Sequence, residues 1–252
     1  MTKMIRICKT VVKLIFQRMG VQLDGKIVPK PGQEYEILTP RARFSPWNCD
    51  PLFLDTFDSV KEFTLVDLYR CYELWDLVHQ TRILESGALI EVGVWKGGTG
   101  ALIAKAAQLA GLNVPVYLCD TFSGVVKAGS HDTFYKGGEH ADASIPGVQR
   151  LLESLDLGQV KILEGVFPDE TAARLEHETF RFCHIDVDVY QSAHDILTWL
   201  WPRLVRGGIV VYDDFGFDSC SGITKHVQEQ ASLNDRLIMY NLNGHAIVVK
   251  LR

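Results

Sequence analysis

From residue 87 onward the hydrophobic pattern repeats one unit: a short apolar run, a loop, then apolar residues every three or four positions. "ALIEVGV" predicts a buried strand and "GALIAKAAQLAG" a helix ending at Gly111; "VPVYLCD", "VKILEG", "FRFCHIDVDV" and "GGIVVYDD" predict further strands. "IPGVQRLLESLDLG", "DETAARLEH" and "SAHDILTWLWPRL" supply the intervening helices. Alternating β and α units imply an α/β, Rossmann-like fold with helices on both faces of a mostly parallel sheet. "RLIMYN" and "HAIVVK" are separated only by Leu242, Asn243 and Gly244, too few residues for a parallel crossover. The expectation is therefore about seven strands, closing with an antiparallel hairpin.

Upstream the pattern weakens. Residues 64–85 carry Leu65, Leu68, Tyr69, Tyr72, Trp75 and Val78 on one helical face, with Thr64 as a candidate cap and Asp67 three residues on. Residues 21–58 are rich in Pro, Gly and aromatics without a clean period, and "ARFSPWNCDPLF" reads as an irregular arm. Near the start, Lys3, Arg6, Lys9, Lys13 and Gln17 face one way on a helix, and Ile5, Cys8, Val11, Val12, Ile15 and Met19 the other. This amphipathic basic helix would pack on its own domain or a second subunit, or touch an anionic membrane surface. The chain thus divides into an N-terminal helical and irregular extension, 1–63, serving oligomerisation or pocket cover, and a catalytic domain, 64–252. A homo-oligomer is expected.

Composition adds limits. Of 252 residues 47% are hydrophobic, enough for a sizeable core, and the net charge of -5 argues against nucleic acid as the partner. The six cysteines form no CxxC pair; Cys119 and Cys183 sit in strand-like runs, so reduced thiols and a cytoplasmic setting are expected.

The candidate chemistry lies at strand ends. "EVGVWKGGTG", residues 91–100, joins a strand to a helix, and Gly93 and Gly97 permit close backbone approach. Its spacing is not the dinucleotide fingerprint. Glu91 would repel a diphosphate but meet an ammonium group, and Asp120, ending the second strand, could hold ribose hydroxyls. An amino acid joined to a nucleoside, S-adenosylmethionine, fits both. Asp186 and Asp188 alternate with Ile185, Val187 and Val189, which in a strand puts both carboxylates on one side. Asp213 and Asp214 end the next strand. Four converging carboxylates call for a divalent cation, Mg²⁺ first and Mn²⁺ second.

The ordered set "EVGVWKGGTG", "CDTFSG", "EGVFPDET", "HIDVDVYQSAHDIL" and "GGIVVYDDFG" resembles the macrocin O-methyltransferase family over residues 64–250. The resemblance implies a class I methyltransferase fold, S-adenosylmethionine as methyl donor, and Mg²⁺-dependent methylation of a hydroxyl on a sugar or glycosylated natural product. It implies Asp186, Asp213 and Asp214 as metal ligands and Asp188 as general base. It further implies Glu91 and Gly93 beside the donor's methionine part, Asp120 at the ribose, and Gly165 to Phe167 near the adenine, with Gly97, Thr99 and Phe122 in the same donor-binding loops. Val187, Thr121 and Val125 replace the family's usual Gly, Ser and Pro. His131, His140 and His184 are rival bases, with His184 read as structural. Residues 123–147, polar and glycine-rich, are expected to form a lid over the acceptor. A catechol-like phenol acceptor, or a DxD-type glycosyltransferase, are the competing readings.

Overall fold

The structure is a computed structural model that describes residues 29–38 and 42–252. The expected amphipathic helix near the start lies outside the described residues. The chain separates into two compact units, residues 1–36 and 37–252. In the described part of the first, Lys30 pairs with Glu36 across a turn. Everything below concerns the second.

Its helices are α1 (Pro51–Val60), α2 (Leu68–Gln80), α3 (Gly98–Leu109), α4 (Ile145–Ser154), α5 (Tyr190–Leu200) and α6 (Ser221–Gln230). Its strands are β1 (Ala88–Val92), β2 (Val116–Asp120), β3 (Val160–Glu164), β4 (Phe180–Ile185), β5 (Leu204–Tyr212), β6 (Arg236–Tyr240) and β7 (Ala246–Lys250). They form one sheet in the order β3-β2-β1-β4-β5-β7-β6. β1 to β5 pair in parallel, and β7 runs antiparallel to both β5 and β6. The fold is the expected one, hairpin included.

The period of two along each strand sorts the core into two layers. Leu89, Leu118, Phe182, Val211 and Ile247 face one side, where α1 to α4 bring Phe53, Leu74, Ala101 and Val148. Ile90, Cys119, Cys183, Val210 and Val248 face the other, beneath Ile196 of α5 and Ile223 of α6.

Several local expectations are corrected. α1 replaces the last part of the expected irregular arm. Pro51 occupies its first turn, where no amide is needed, and the Asp50 carboxylate accepts from Phe53 N at 3.0 Å. Its fully buried Phe53 contributes about 1.5–3 kcal/mol by leaving water. α2 is capped by Asp67, not Thr64: Asp67 accepts from Tyr69 N and Arg70 N, whereas Thr64 makes a tight turn to Val66 N. Leu65 and Tyr69 are consequently exposed, and the buried face of α2 is Arg70, Cys71, Leu74, Trp75 and Val78. "DETAARLEH" makes only a short 3-10 turn at Ala172–Leu175. Cys49, Cys71, Cys119, Cys183 and Cys220 are free thiols. No helix among the described residues is long and apolar enough to cross a membrane.

Candidate active site

Strand order advances outward from β1 through β2 to β3 on one side and through β4 to β5 on the other. The resulting crevice opens at the carboxyl ends of β1 and β4, where open α/β sheets bind ligands. A cavity occupies it, lined among others by Gly93, Asp120, Asp186, Asp188, Asp213 and Asp214.

The expected strand alternation does not bring the aspartates together. β4 ends at Ile185, and Asp186 and Asp188 lie in the loop that follows. Asp186 N still donates to Val92 O at 2.9 Å, fixing the loop to β1. Gly93 makes this approach possible: at φ +91°, a Cβ there would lie 1.6 Å from the Asp186 carbonyl oxygen. Asp188 then turns into the left-handed region at φ 65°, which Asp tolerates better than most residues. Its amide donates to Asp214 Oδ2 at 3.0 Å, and Asp213 N donates to Ile185 O at 3.0 Å. Oxygen atoms of Asp186, Asp213 and Asp214 lie within 4.8 Å of one another. Burial and the neighbouring carboxylates push Asp186 and Asp214 well above the ordinary carboxylate range. Burial also raises Asp188, which the Tyr135 hydroxyl partly counters. The Cys220 thiol stands 3.8 Å from Asp188 Oδ1.

Asp213 differs from its neighbours. Burial opposes its charge, yet the two histidines and Arg70 hold it well below the usual range. Arg70 donates to Oδ2 in a buried ion pair, and His245 Nε2 lies 2.9 Å from Oδ1. His245 Nδ1 is 2.6 Å from Glu73 Oε2. On the other flank His184 is fully buried, its Nδ1 2.9 Å from Glu91 Oε1 and its Nε2 3.6 Å from Asp213 Oδ1. Burial would lower the His184 pKa, but these two carboxylates override it and raise it to about 10. Fully buried and absent from the cavity lining, His184 is not positioned to take a proton from an acceptor in the cavity.

The alternation that failed for the aspartates explains this network. Glu91 follows Leu89, His184 follows Phe182 and Asp213 follows Val211 on the same side of the sheet. Glu91 therefore points into the layer under α3, away from the cavity. Its expected place at a ligand's ammonium group is corrected: the carboxylate is fully enclosed and tied to His184. Gly100 lets α3 lie directly on it, since a Cβ there would be 2.5 Å from Glu91 Oε2.

Other donor-binding candidates divide similarly. Gly93, Thr99, Asp120, Gly165 and Phe167 line the cavity. Asp120 accepts from Val94 N and Trp95 N on Oδ2 at 2.6 and 2.9 Å and from Phe122 N on Oδ1 at 2.6 Å, which leaves about one acceptor site, on Oδ1. Gly97 and Phe122 do not line it. Gly97, at φ +91°, makes the left-handed entry to α3 against Val148, and the Phe122 ring packs on the core. Arg70, Tyr135 and the Phe63–Val66 segment also wall the cavity, and sequence reasoning missed them. Only Arg70 left a signal, a charge within the apolar stripe of α2.

Among known proteins, the profile of the macrocin-O-methyltransferase (TylF) family matches residues 61–247. The chain belongs to this family. Mycinamicin III 3''-O-methyltransferase of Micromonospora griseorubida is 28% identical over 172 residues, 63% of this chain and 66% of that protein. Demethyldecarbamoylnovobiocin O-methyltransferase of Streptomyces niveus is 27% identical over 169 residues, 63% of this chain and 64% of that protein. The chain thus spans just under two thirds of the length of these curated relatives. The solved structure of the O-methyltransferase NovP superposes with a TM-score of 0.66 at 25% identity, covering 75% of this chain and 83% of that one. The calicheamicin methyltransferase CalS11 superposes at 0.61 and 15% identity, covering 82% and 94%, a likeness of fold.

Proposed function

We propose that this member of the family transfers a methyl group from S-adenosylmethionine to a hydroxyl of a sugar or glycosylated natural product. The observation that carries the reading is the meeting of Asp120 with Asp186, Asp188, Asp213 and Asp214 around one cavity at the sheet's switch point. The donor would lie along the β1 and β2 ends, with Asp120 at its ribose, Gly93 and Thr99 at its methionine part, and Gly165 and Phe167 toward its adenine. Bound there, it supplies a methyl group already activated on a sulfonium.

Asp186, Asp213 and Asp214 fit a divalent cation, Mg²⁺ before Mn²⁺. Burial and the neighbouring carboxylates drive Asp186 and Asp214 toward protonation, against the weaker pull of His184 on the first and of the Asp188 amide and Arg70 on the second. Such a cation, when bound, lowers the pKa of an acceptor oxygen. Asp188 is the residue placed to take the acceptor's proton. Its carboxylate is reached by the Tyr135 hydroxyl and the Cys220 thiol, which would orient it toward the acceptor. The walls exclude water and fix the approach.

Residues 64–252 would act as the catalytic domain and the preceding segment as pocket cover or oligomer contact, and Phe63 in the cavity wall favours the cover. The free thiols support a cytoplasmic setting. The deciding experiment is an acceptor screen with labelled S-adenosylmethionine and Mg²⁺ over glycosylated natural products, nucleotide sugars and phenols. Label transfer to a sugar hydroxyl that a chelator abolishes is the expected result. Transfer to catechols alone, or calorimetric binding of a nucleotide sugar without the donor, would replace the reading.

A further inference from the structure

Behind the cavity, on the α1–α4 side of the sheet, His184, Asp213 and His245 bring three metal-ligating atoms within 4.8 Å of one another, all three residues buried. We infer that they form a site for a borderline transition-metal ion such as Zn²⁺ or Co²⁺, distinct from the all-oxygen carboxylate cluster and joined to it through Asp213.

Three features carry this. First, the spacing suits an ion. Asp213 Oδ1 lies 2.9 Å from His245 Nε2 and 3.6 Å from His184 Nε2. Ligands about 2.0–2.2 Å from a common ion stand roughly 3 Å apart. Second, both imidazoles are oriented as metal ligands are. Each turns its Nδ1 to a carboxylate, His184 to Glu91 Oε1 at 2.9 Å and His245 to Glu73 Oε2 at 2.6 Å, and each aims Nε2 at the same oxygen. Carboxylates on the far nitrogen fix the ring and raise the basicity of the ligating one. Glu73 is itself held by the Asn241 side chain. Third, His184 Nε2 is a buried polar atom without a hydrogen-bond partner, and it points into the proposed site.

Two imidazoles and one carboxylate suit zinc, cobalt, iron or nickel rather than magnesium. Asp213 lines the cavity, which gives the ion a way in. Ligation needs both Nε2 atoms unprotonated, so the ion competes with protons for them. The ion would pin the ends of β4, β5 and β7 to one another, and its charge would sit one carboxylate away from the acidic cluster. The inference does not rest on methyl transfer and is read without it.

Full-length protein, freed of metal by chelation, is titrated with Co²⁺ while visible absorption and thermal unfolding are followed. One equivalent should develop the intense d–d bands of a low-coordinate nitrogen-containing site and raise the unfolding temperature. His245→Gln and His184→Gln should each remove the bands. Glu73→Gln should keep them and weaken Co²⁺ binding by about 10–100-fold. Asp186→Asn, which touches only the oxygen cluster, should leave the bands in place. Bands lost in Asp186→Asn but kept in both histidine variants would put the ion among the carboxylates and overturn the inference. So would absence of the bands from the wild-type protein. Circular dichroism of each variant separates loss of a ligand from loss of fold.

Discussion

At the scale of single residues, the site distributes charge unequally among four aspartates. Asp213 is saturated by Arg70 and two histidines; Asp186 and Asp214 are not, and Asp188 faces a phenol and a thiol. Asp188→Asn should lower turnover by about 10²–10⁴-fold, the range of general-base catalysis, while donor affinity measured by calorimetry stays within a few-fold. Near-normal turnover would remove Asp188 as the base. Asp213→Asn should act twice, raising the Mg²⁺ requirement and destabilising the fold by about 3 kcal/mol, because Arg70 loses its buried partner. Urea unfolding beside Mg²⁺-dependent activity separates the two effects. The sequence displayed the acidic residues but not these differences. Arg70 and His245 reach Asp213 from α2 and from the turn before β7, and Glu73 backs His245 from 172 residues away, which no local period connects. Glu91 and His184 both stand out in the sequence, but their pairing does not, and that pairing turns Glu91 to the core rather than to the ligand side.

Among elements, the decisive contacts are those of loops pinned to strand ends. Gly93→Ala would put a methyl group into the Asp186 carbonyl. The β4 loop must then retreat, carrying Asp186 with it, and a loss of about 2–4 kcal/mol should accompany weakened cation binding in a Mn²⁺ titration. The 123–147 segment is similarly tied. Asp132 is buried and accepts from Gly129 N at 2.8 Å and from Tyr190 N, at the start of α5, at 2.9 Å. Lys127 bridges Asp169 and Asp195 at 2.8 and 2.7 Å, and Ser192 Oγ donates to Val126 O at 2.9 Å. Asp132→Ala should raise proteolytic cleavage within the segment and raise the acceptor KM more than it lowers kcat. Unchanged cleavage and KM would show that the segment stands without this anchor. Strands were legible because buried parallel strands are continuous apolar runs. The anchors were not, because an isolated Asp or Lys in a polar stretch looks the same whether it faces solvent or caps a distant helix.

For the whole molecule, two apolar layers hold the sheet, and His226 is one of the buried groups that couple its stability to acid. His226, on α6, is enclosed against Tyr212, whose hydroxyl lies 3.2 Å from Nε2. Burial, aided by His194, lowers its pKa to about 4. The folded protein therefore keeps His226 neutral where the unfolded chain, at about 6.5, binds a proton. Stability from this group is complete above pH 6.5 and is lost as pH falls toward 4, by about 3 kcal/mol at most. His226→Gln should flatten that part of the stability–pH curve in urea titrations. The same slope in the variant would assign the acid sensitivity elsewhere.

The tether at Asp132 has a consequence for how acceptor range can change. Val125 and Glu139 hydrogen-bond across the segment, N to O at 2.8 Å, and Asp132 fixes its middle, leaving Thr133 to Gly138 as a small arc that carries Tyr135. Sequence there can be exchanged provided that Tyr135, whose hydroxyl faces Asp188, and Gly138, whose amide donates to Val125 O at 2.9 Å, are kept. Grafting arcs from relatives around a retained Tyr135 is thus a compact route to new acceptor preferences, with the carboxylates beneath left in place.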